Sequence, residues 1–426
     1  MRIGAALLLI LAAYYRSGPL FFAVGVALLL AVGAQFWLRV IGREFQVGRI
    51  LEPRLFFGEA ATVRLTFANR STLPIPWLEI HESMPAALAL PNVLSRVMHL
   101  APQQHATVTY TLHGRRRGFH AVGPLTATMG DVFGLARREL RFAARQHLLV
   151  YPRILPVDEL RLPALAMFGV VRSRRQLLGD PSRLAGVRQY VPGDPLHDIH
   201  WPATAATGTL QVKHYQPATT HQAVIFLDLQ RAGYSAPDVL SAAEFAISVA
   251  ATIASRLIEQ RQEVGLVTNG QVILPPVEEQ GATPEWDELR LPAAAPDAHI
   301  GPTEPAYSET TRASAPIGPA RGRAQLMRVL EVLARVEPHE QGESLIRLLL
   351  QRTVALPWGS TVVVIAGATS EELFLALHKL RQVGLLVVLF LVEPHPDVAA
   401  VEARARAVGV TLQVAWRDAD MQAVRA

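Results

Sequence analysis

The sequence from Gly186 to Gln216 reads GVRQYVPGDPLHDIHWPATAATGTLQVKHYQ, and the apolar run AVIFLDL follows at Ala223–Leu229. An unbroken apolar run of this length is typical of a strand that is covered on both faces. The block before it is rich in Gly and Pro, which punctuate turns and loops. We therefore expect a loop-rich connection that leads into the first strand of a buried sheet.

The C-terminal part of the chain alternates between apolar strands and amphipathic helices. Strands are predicted at 223–229, 264–268, 361–366, 385–392 and 411–416, and helices at 241–260, 324–336, 344–356, 370–383 and 397–408. This alternation predicts an α/β domain with a doubly wound parallel sheet over residues 219–426. A short strand at 271–274 is expected to pair with 264–268 across the Asn269-Gly270 turn. A loop insertion is expected at 275–322, where Pro, Ala, Glu and Gly are frequent and periodicity is weak.

The part of the chain from 44 to 155 has a two-residue periodicity instead. In Thr62–Phe67 and in Thr107–Leu112, apolar and polar residues alternate, which is the pattern of half-buried strands. A small antiparallel β-sandwich domain is therefore predicted. Residues 156–218 then form a linker together with the block quoted above.

Two apolar segments begin the chain. The second, Leu20–Leu38, is long enough to cross about 30 Å of hydrocarbon as a helix, and arginines follow it. The first, Ile3–Tyr15, is shorter, and a tight turn at Arg16–Pro19 separates the two. We predict a transmembrane helical hairpin over residues 1–43, and the positive-inside rule then places the soluble domains in the cytoplasm. A single span with the bulk of the chain outside is the competing topology.

The charge distribution narrows the classes of partner. The formal net charge is +5, too small overall to indicate nucleic acid. Between Tyr110 and Tyr190, however, fourteen Arg stand against five acidic residues. A basic region on a membrane-tethered protein favours anionic lipid headgroups first, an acidic protein partner second and nucleic acid third. The chain has no Cys, which excludes disulfides, Cys-ligated metals and thiol nucleophiles.

Two stretches resemble the signature of a bacterial family, domain-of-unknown-function family 58. The first is RRRGFHAVGPLTATMGDVFGLARRE (Arg115–Glu139), in which an Arg-Arg-x-Gly stretch precedes a D-x-F-G-L turn. The second is the block Gly186–Gln216, where the matching residues are Arg188, Tyr190, Pro192, Gly193, Asp194, Ile199, Trp201, Ala205 and Gly208. The block departs from the family pattern at His197, Pro202 and Ala206, where basic residues are usual.

The resemblance implies a C-terminal domain similar to von Willebrand factor type A modules. It also implies a bacterial inner-membrane protein that works with MoxR-type AAA+ ATPases, beside transglutaminase-like membrane proteins, in the assembly or activation of other proteins. If the basic residues that are usual at positions 197, 202 and 206 bind an acidic group in the family, that contact is expected to be weaker or differently placed in this chain.

Type A modules bind Mg²⁺ through a D-x-S-x-S motif at the end of the first strand, a donor set that suits a hard cation. Here the strand ends at Asp228, and Gln230 and Ala232 replace both serines. We predict that this degenerate motif holds no metal and that Asp228 caps nearby backbone N–H groups. No other metal and no cofactor is expected.

His197 and His200 lie near Asp194 and Asp198, a pattern that superficially resembles a zinc ligand cluster. Zinc needs three or four ligands in a closed geometry. Loop histidines that hydrogen bond around the Trp201 turn are therefore favoured over a metal site. Trp201 itself is predicted to anchor the loop on the α/β domain.

Three functional hypotheses follow. The first is a non-enzymatic, membrane-anchored adaptor that docks a protein partner through the α/β domain and the block before it. The block residues expected to dock a partner or to shape the block are Arg188, Tyr190, Gly193, Asp194, His197, His200, Trp201 and Gly208. The second is a hydrolase that uses Asp194, Asp198 or Asp228 with His197 or His200. The third is a nucleic-acid binder, which is not expected because no aromatics for base stacking are interleaved with the arginines. The sequence also contains neither a nucleotide-binding glycine motif nor the G-x-S-x-G elbow of a serine hydrolase.

Overall fold

A computed structural model describes residues 18–89, 93–142, 145–155, 179–192, 194–217, 222–234, 239–274, 289–290, 310–340, 343–393 and 398–414. The chain divides into two compact units. The first, which we call the β unit, comprises residues 1–151 and 275–309. The second, the α/β unit, comprises residues 152–274 and 310–426.

The described part of the β unit begins with a long apolar helix, α1 (Gly18–Glu44). Pro19 lies in its first turn, where the missing backbone N–H costs no hydrogen bond. Large apolar side chains project from the middle of the helix, and Phe22 is 75% exposed. The helix predicted at Leu20–Leu38 is thus confirmed. The shorter segment of the predicted hairpin, Ile3–Tyr15, lies outside the described residues.

The rest of the β unit is built of strands. They are β1 (Phe45–Ile50), β2 (Arg54–Leu55), β3 (Ala60–Asn69), β4 (Ile75–Ser83), β5 (Val93–Leu100), β6 (His105–His113), β7 (Gly118–Val122), β8 (Leu125–Gly130), β9 (Arg137–Phe142), β10 (Gln146–Val150) and β16 (Leu289–Arg290). Two sheets have four strands each, in the orders β16-β1-β3-β6 and β5-β4-β8-β9, and a third has the order β2-β10-β7. All these pairings are antiparallel except that between β2 and β10.

The two four-stranded sheets share one hydrophobic core, as a sandwich requires. Strand β3 shows why the sequence pattern predicts this, because Val63, Leu65 and Phe67 are buried while the residues between them face outwards. Side chains from the opposite sheet, Ile80 and Met129 among them, pack in one cluster with Leu65 and Phe67. The antiparallel β-domain is therefore where the periodicity places it.

A buried ion pair crosses the interior of the β unit. The guanidinium of Arg49 and the carboxylate of Glu82 form an ion pair, and both side chains are fully buried. The Tyr110 hydroxyl donates a hydrogen bond of 2.6 Å to Glu82 Oε2, and Arg49 Nη1 donates one of 3.3 Å to the carbonyl of Val122. Burial raises the pKa of Glu82, against the opposing field of Arg49. The cluster links four strands, β1, β4, β6 and β7, through groups that would be costly to leave unpaired.

The α/β unit alternates between strands and helices. Its elements are β11 (Gly179–Gln189), α2 (Trp201–Thr207), β12 (Gln211–Pro217), β13 (Gln222–Leu227), α3 (Val239–Glu259), β14 (Glu263–Thr268), β15 (Gln271–Leu274), β17 (Thr310–Ala313), β18 (Ile317–Ala320), α4 (Arg323–Arg335), β19 (Val336–Glu337), α5 (Leu345–Arg352), β20 (Thr361–Ala366), α6 (Glu371–Gln382), β21 (Leu386–Leu391), α7 (Val398–Ala407) and β22 (Thr411–Val414). The central sheet has the order β18-β14-β13-β20-β21-β22. Its strands are parallel except for β18, which pairs antiparallel at one edge.

Helices cover both faces of this sheet. Helices α5, α6 and α7 share a core with alternate strand residues, for example Phe226 and Val364. The residues between them, such as Ile225, are equally buried on the opposite side. Helix α3 packs against β13 and β14 but lies outside that core, and so it covers this second face. Both α1 and α3 are long and apolar enough to cross a membrane, but two-thirds of the apolar part of α3 is buried inside the unit.

Three expectations about the α/β unit are wrong. Strand β15 does not pair with β14, because β13 and β18 occupy both edges of β14; it joins β17 and β19 in a separate small sheet. The end of the expected loop at 275–322 is not loop, since it contains β17 and β18. The block before β13, expected to be loop-rich, is mostly strand and helix.

Candidate functional site

The block that carries the sequence signature forms an arm of two antiparallel strands. Strands β11 and β12 pair with Arg188 opposite Val212, and the short helix α2 lies in the connection between them. We call residues 179–217 the signature arm. Where its side chains are described, most are exposed, and Ile199 and Val212 are the buried apolar ones.

An ion pair braces the arm at the turn after β11. Arg188 donates two hydrogen bonds to Asp194, of 2.7 Å and 2.6 Å, one to each carboxylate oxygen. Asp194 Oδ2 also accepts from the backbone N–H of Val191 at 2.9 Å. The bonds from Arg188, followed by that from Val191, hold the pKa of Asp194 below its ordinary value. This bidentate geometry fixes the loop, which is a structural role for two predicted docking residues.

Two further signature residues cap helix α2. His200 Nδ1 accepts a hydrogen bond of 3.1 Å from the backbone N–H of Ala203, and Gly208 ends the helix with a φ of 67°, which glycine adopts without strain. Tyr190 ties its backbone N–H to the carbonyl of Leu210. The predicted hydrogen bonding of a loop histidine around the Trp201 turn is thus confirmed for His200. Gly193 lies outside the described residues.

His197 and Trp201 face solvent. His197 Nε2 lies 3.7 Å from Asp198 Oδ2, and its side chain is 82% exposed. Trp201 is 65% exposed, so the prediction that it anchors the loop by packing is wrong; the backbone pairing of the arm and the caps of α2 hold the loop instead. Other large apolar side chains exposed on the arm are Val187, Val191, Leu196 and Leu210.

A second group of polar residues gathers at the carboxyl ends of the central strands. Asp228 follows β13, and its backbone N–H bonds to the carbonyl of Ile365 in β20. Chain order along the sheet reverses between these two strands, and ligands of open α/β sheets bind at such a switch point. Gly367 follows β20, and a side chain there would lie within 2.6 Å of the Tyr234 ring. The two strand-end turns therefore close tightly over Asp228.

Asp228 lies in a network of hydrogen bonds that, within the described part of the chain, contains no arginine or lysine. Its Oδ1 accepts from Asn269 Nδ2 at 2.8 Å and from the backbone N–H of Gln230 at 3.1 Å. The amide oxygen of Asn269 accepts from Leu229 at 2.7 Å, and the Tyr234 hydroxyl donates to the carbonyl of Asp228. Burial raises the pKa of Asp228, and burial also raises the pKa of Tyr234 well above its ordinary value.

His339 completes this group, which we call the edge cluster. It is only 5% exposed, and neither of its ring nitrogens has a hydrogen-bond partner among the residues that the structure describes. Its backbone bonds to both Leu229 and Arg231, so it is held beside the strand end. Sequence reasoning missed His339, Tyr234 and Asn269. The available signal concerns Asn269, which comes directly after the predicted strand 264–268, where the ends of parallel strands converge. Tyr234 lies five residues beyond a predicted strand and His339 follows a predicted helix, so neither position gave that signal.

The described hydrogen bonds do not link Asp228 with the two histidines of the signature arm. Within the described residues, the hydrogen bonds of Asp228 go to the edge cluster and none reaches His197 or His200. The degenerate motif behaves as a cap, since Asp228 accepts from the backbone of Gln230. Among the described residues, no group of three or more His, Asp or Glu is arranged to hold a metal ion.

Part of the sequence matches a known protein family. Residues 186–307 match the family model described as "Protein of unknown function DUF58". The match begins within the signature arm and extends over the first strands of the α/β unit. This match supports the DUF58 family, which the signature block resembles.

A relative from Bacillus subtilis (strain 168) supports the same assignment. It is named "Uncharacterized protein YeaD" and is 24% identical over 234 residues, which cover 54% of this chain. The match spans 57% of the relative's own length. Its name assigns no activity.

Likenesses to solved structures are slight. A CARDB domain from Pyrococcus furiosus aligns at 11% identity over 25% of this chain and 91% of that domain, with a TM-score of 0.19. A β-glucosidase from Listeria innocua aligns at 17% identity over 25% of this chain and 16% of the enzyme, with a TM-score of 0.17. Scores this low carry no argument about fold or function.

Proposed function

We propose that this chain is a non-enzymatic, membrane-anchored adaptor whose signature arm docks a protein partner. One observation carries the proposal: the arm exposes Trp201 and Leu196, at 65% and 70%, on a frame that Arg188 and Asp194 brace. Exposed large apolar side chains mark interaction sites, and Trp is enriched among the residues that dominate binding energy. A braced arm loses little conformational freedom on binding, which favours affinity.

The partner class comes from the family resemblance. We propose a MoxR-type AAA+ ATPase, with the pair acting in the assembly or activation of other proteins. The α/β unit is then a module similar to von Willebrand factor type A. The strand order, with one antiparallel strand at the edge beside β14, supports this topology. In this reading the edge cluster is closed by its own hydrogen bonds and binds no Mg²⁺.

The anchor is α1, which crosses the bacterial inner membrane. Its length of 27 residues exceeds the roughly 20 that a span needs, and its apolar side chains project outwards. Arg39 and Arg43 follow the apolar part, and the positive-inside rule then puts the soluble units in the cytoplasm. The arginines also favour contact with anionic headgroups.

A purification from detergent-solubilised membranes tests the adaptor. We expect the full chain to recover an AAA+ ATPase, and Trp201→Ala to reduce the recovery about tenfold or more, because truncating a central aromatic anchor costs about 2 kcal/mol, and about 1.4 kcal/mol is a factor of ten. The matched control is Val354→Ser, which removes an apolar side chain, 83% exposed, elsewhere in the same unit. Far-UV circular dichroism should be unchanged in both variants.

Two outcomes would contradict the proposal. One is recovery of no AAA+ ATPase by the folded wild-type chain. The other is equal recovery by the wild type and by Trp201→Ala, which would remove the arm as the docking surface. Hydrolysis that is lost on replacing Asp228 would instead favour the enzyme hypothesis.

A further inference from the structure

The tip of the β8–β9 hairpin presents two apolar side chains to solvent. Between Gly130 and Arg137, Val132 is 74% and Phe133 is 70% exposed. We call residues 131–136 the hairpin tip. Exposure of this degree is unfavourable in water for two neighbouring large apolar side chains.

Hydrogen bonds within the tip hold its backbone in a turn from which Val132 and Phe133 project into solvent. The carboxylate of Asp131 accepts from the backbone N–H of Phe133 at 3.0 Å and from that of Ala136 at 2.7 Å. The backbone of Gly134, with a φ of 68°, bonds back to the carbonyl of Asp131. The one acidic side chain of the tip is therefore engaged within the turn.

The hairpin runs alongside the end of α1, in the same unit. Near the end of β9, Phe142 packs beside Phe45, with ring centroids 6.3 Å apart. At its start, Arg138 Nη1 donates to the carbonyl of Leu38 at 3.4 Å. Leu38 and Ile41 are buried in the sandwich core, and β1 follows α1 without a linker. The end of the helix and the sandwich thus share one hydrophobic core at this junction.

These two contacts set the direction of the hairpin. Phe142 contacts Phe45, and Arg138 contacts Leu38. Strand β9, followed from Phe142 back to Arg138, therefore runs in the same direction as α1 followed back towards its N-terminus. The tip continues in that direction, towards the exposed apolar part of α1. A strand rises about 3.3 Å per residue and a helix about 1.5 Å per residue. Two residues of the hairpin before Arg138 therefore span about the same distance as four residues of α1, and they reach about the level of Ala34. That level is past Trp37, whose indole N–H bonds to Pro74 at the junction.

Basic side chains surround the same junction. Arg39, Arg43 and Arg137 are exposed, and the guanidinium of Arg137 lies 5.3 Å from the centre of the Trp77 ring. Long basic side chains extend to headgroups while their stems cover apolar surface. A tip with apolar ends above a belt of arginines has the polarity of the interface between water and an anionic bilayer.

We propose that the hairpin tip inserts Val132 and Phe133 into the bilayer interface beside α1, while the arginine belt contacts anionic headgroups. The occupant of this surface is the membrane because the tip is continuous with the apolar helix. The inference rests on the anchoring by α1 proposed above. It adds a second membrane contact, which fixes the tilt of the β unit on the bilayer.

The absence of Cys makes a site-directed label possible. Three variants of the full chain, Phe133→Cys, Phe22→Cys and Val93→Cys, each carry one nitroxide and are reconstituted in vesicles of phosphatidylcholine and phosphatidylglycerol. Phe22 reports on the helix. Val93 is an exposed control at the far end of the same sheet, since it pairs with Ser83 whereas the tip end pairs Trp77 with Gly130. The measurement is the accessibility of each label to oxygen and to a water-soluble nickel reagent.

We expect the label at 133 to be several-fold less accessible to nickel than the label at 93, and to favour oxygen as the label at 22 does. A lipid-exposed label at 22 with a water-exposed label at 133 would overturn the tip insertion alone. Water exposure at both positions would overturn the anchoring as well. Vesicles without phosphatidylglycerol should raise nickel access at 133; unchanged access would overturn the role of the arginine belt.

Discussion

Two carboxylates of the α/β unit, Asp228 in the edge cluster and Asp194 on the signature arm, show opposite electrostatic designs. Asp228 is buried among neutral hydrogen-bond partners, and burial raises its pKa. Asp194 is paired with Arg188 at the surface, and that pair lowers its pKa. The edge cluster is therefore most stable when Asp228 is protonated, and the signature arm is most stable when Asp194 is ionised. The buried carboxylate stabilises the fold, whereas the exposed carboxylate stabilises the turn that presents the surface of the arm.

The β unit provides the extreme case of the interior design. Glu82 is as buried as any core residue but has a full charge partner in Arg49. Desolvation of both ions offsets much of their attraction, so the pair matters mainly when one member is missing.

The largest effect is expected from Glu82→Ala. It leaves the buried Arg49 charge without its carboxylate, so the free energy of unfolding of the β unit should fall by about 3–5 kcal/mol. The double replacement Arg49→Met with Glu82→Leu should cost less than the single one, because no buried charge remains. Glu139→Ala, which breaks an exposed pair with Arg141, should change it by no more than about 1 kcal/mol. Chemical denaturation measures all three, and an equal loss in the single and double variants would refute the ion-pair account.

A smaller loss is expected from Asp228→Ala, about 1–3 kcal/mol, because the backbone N–H of Gln230 and the amide of Asn269 lose their shared acceptor. Asp228→Asn keeps that acceptor oxygen and should cost much less at neutral pH. If the alanine and asparagine variants are equally destabilised in urea unfolding, the neutral hydrogen-bond network is not what holds the edge.

The pH dependence separates the two carboxylates. The folded-state pKa of Asp228 lies above the ordinary value of 3.8, so its contribution is complete below that pH and is lost as pH rises through the folded-state pKa. Asp228→Asn should therefore gain stability relative to the wild type as pH rises from about 4 to 7. A constant difference across that range would mean that Asp228 titrates normally.

On the arm the sign reverses. The folded-state pKa of Asp194 lies below 3.8, so its contribution is present above that pH and disappears as pH falls through the folded-state pKa. Asp194→Ala should speed hydrogen exchange at the amide of Val191 at neutral pH and leave global unfolding nearly unchanged, since the pair is exposed. Unchanged exchange at that amide would show that the ion pair does not brace the arm.

The smallest effect on stability is expected for Trp201→Ala. An exposed side chain away from the core changes the free energy of unfolding by about 0.5 kcal/mol or less. The same variant should lose partner binding, and this dissociation of binding from folding is what defines a docking surface. A thermal unfolding midpoint well below that of the wild type would instead mean that Trp201 is structural.

Local patterns in the chain were sufficient for most elements. The periodicity of Thr62–Phe67 and the apolar run at Thr361–Ala366 predict strands that the structure contains, and Leu20–Leu38 predicts α1. The same local reasoning failed for β15, because pairing depends on which strand edges are free. It also failed for Trp201, since no local pattern shows whether a loop tryptophan is covered.

By itself, the sequence determined most of the strands and helices, the apolar helix near the start and the resemblance to the DUF58 family, since each depends on residues close together in the chain. Only the tertiary structure decided that Asp228, Asn269 and His339 meet at one end of the central sheet, that Arg49 pairs with Glu82 in the β unit, and that Arg138 of β9 contacts the end of α1. These contacts join residues far apart in sequence. Their partners are selected by packing and by the cost of burying unpaired polar groups, which no short stretch of chain encodes.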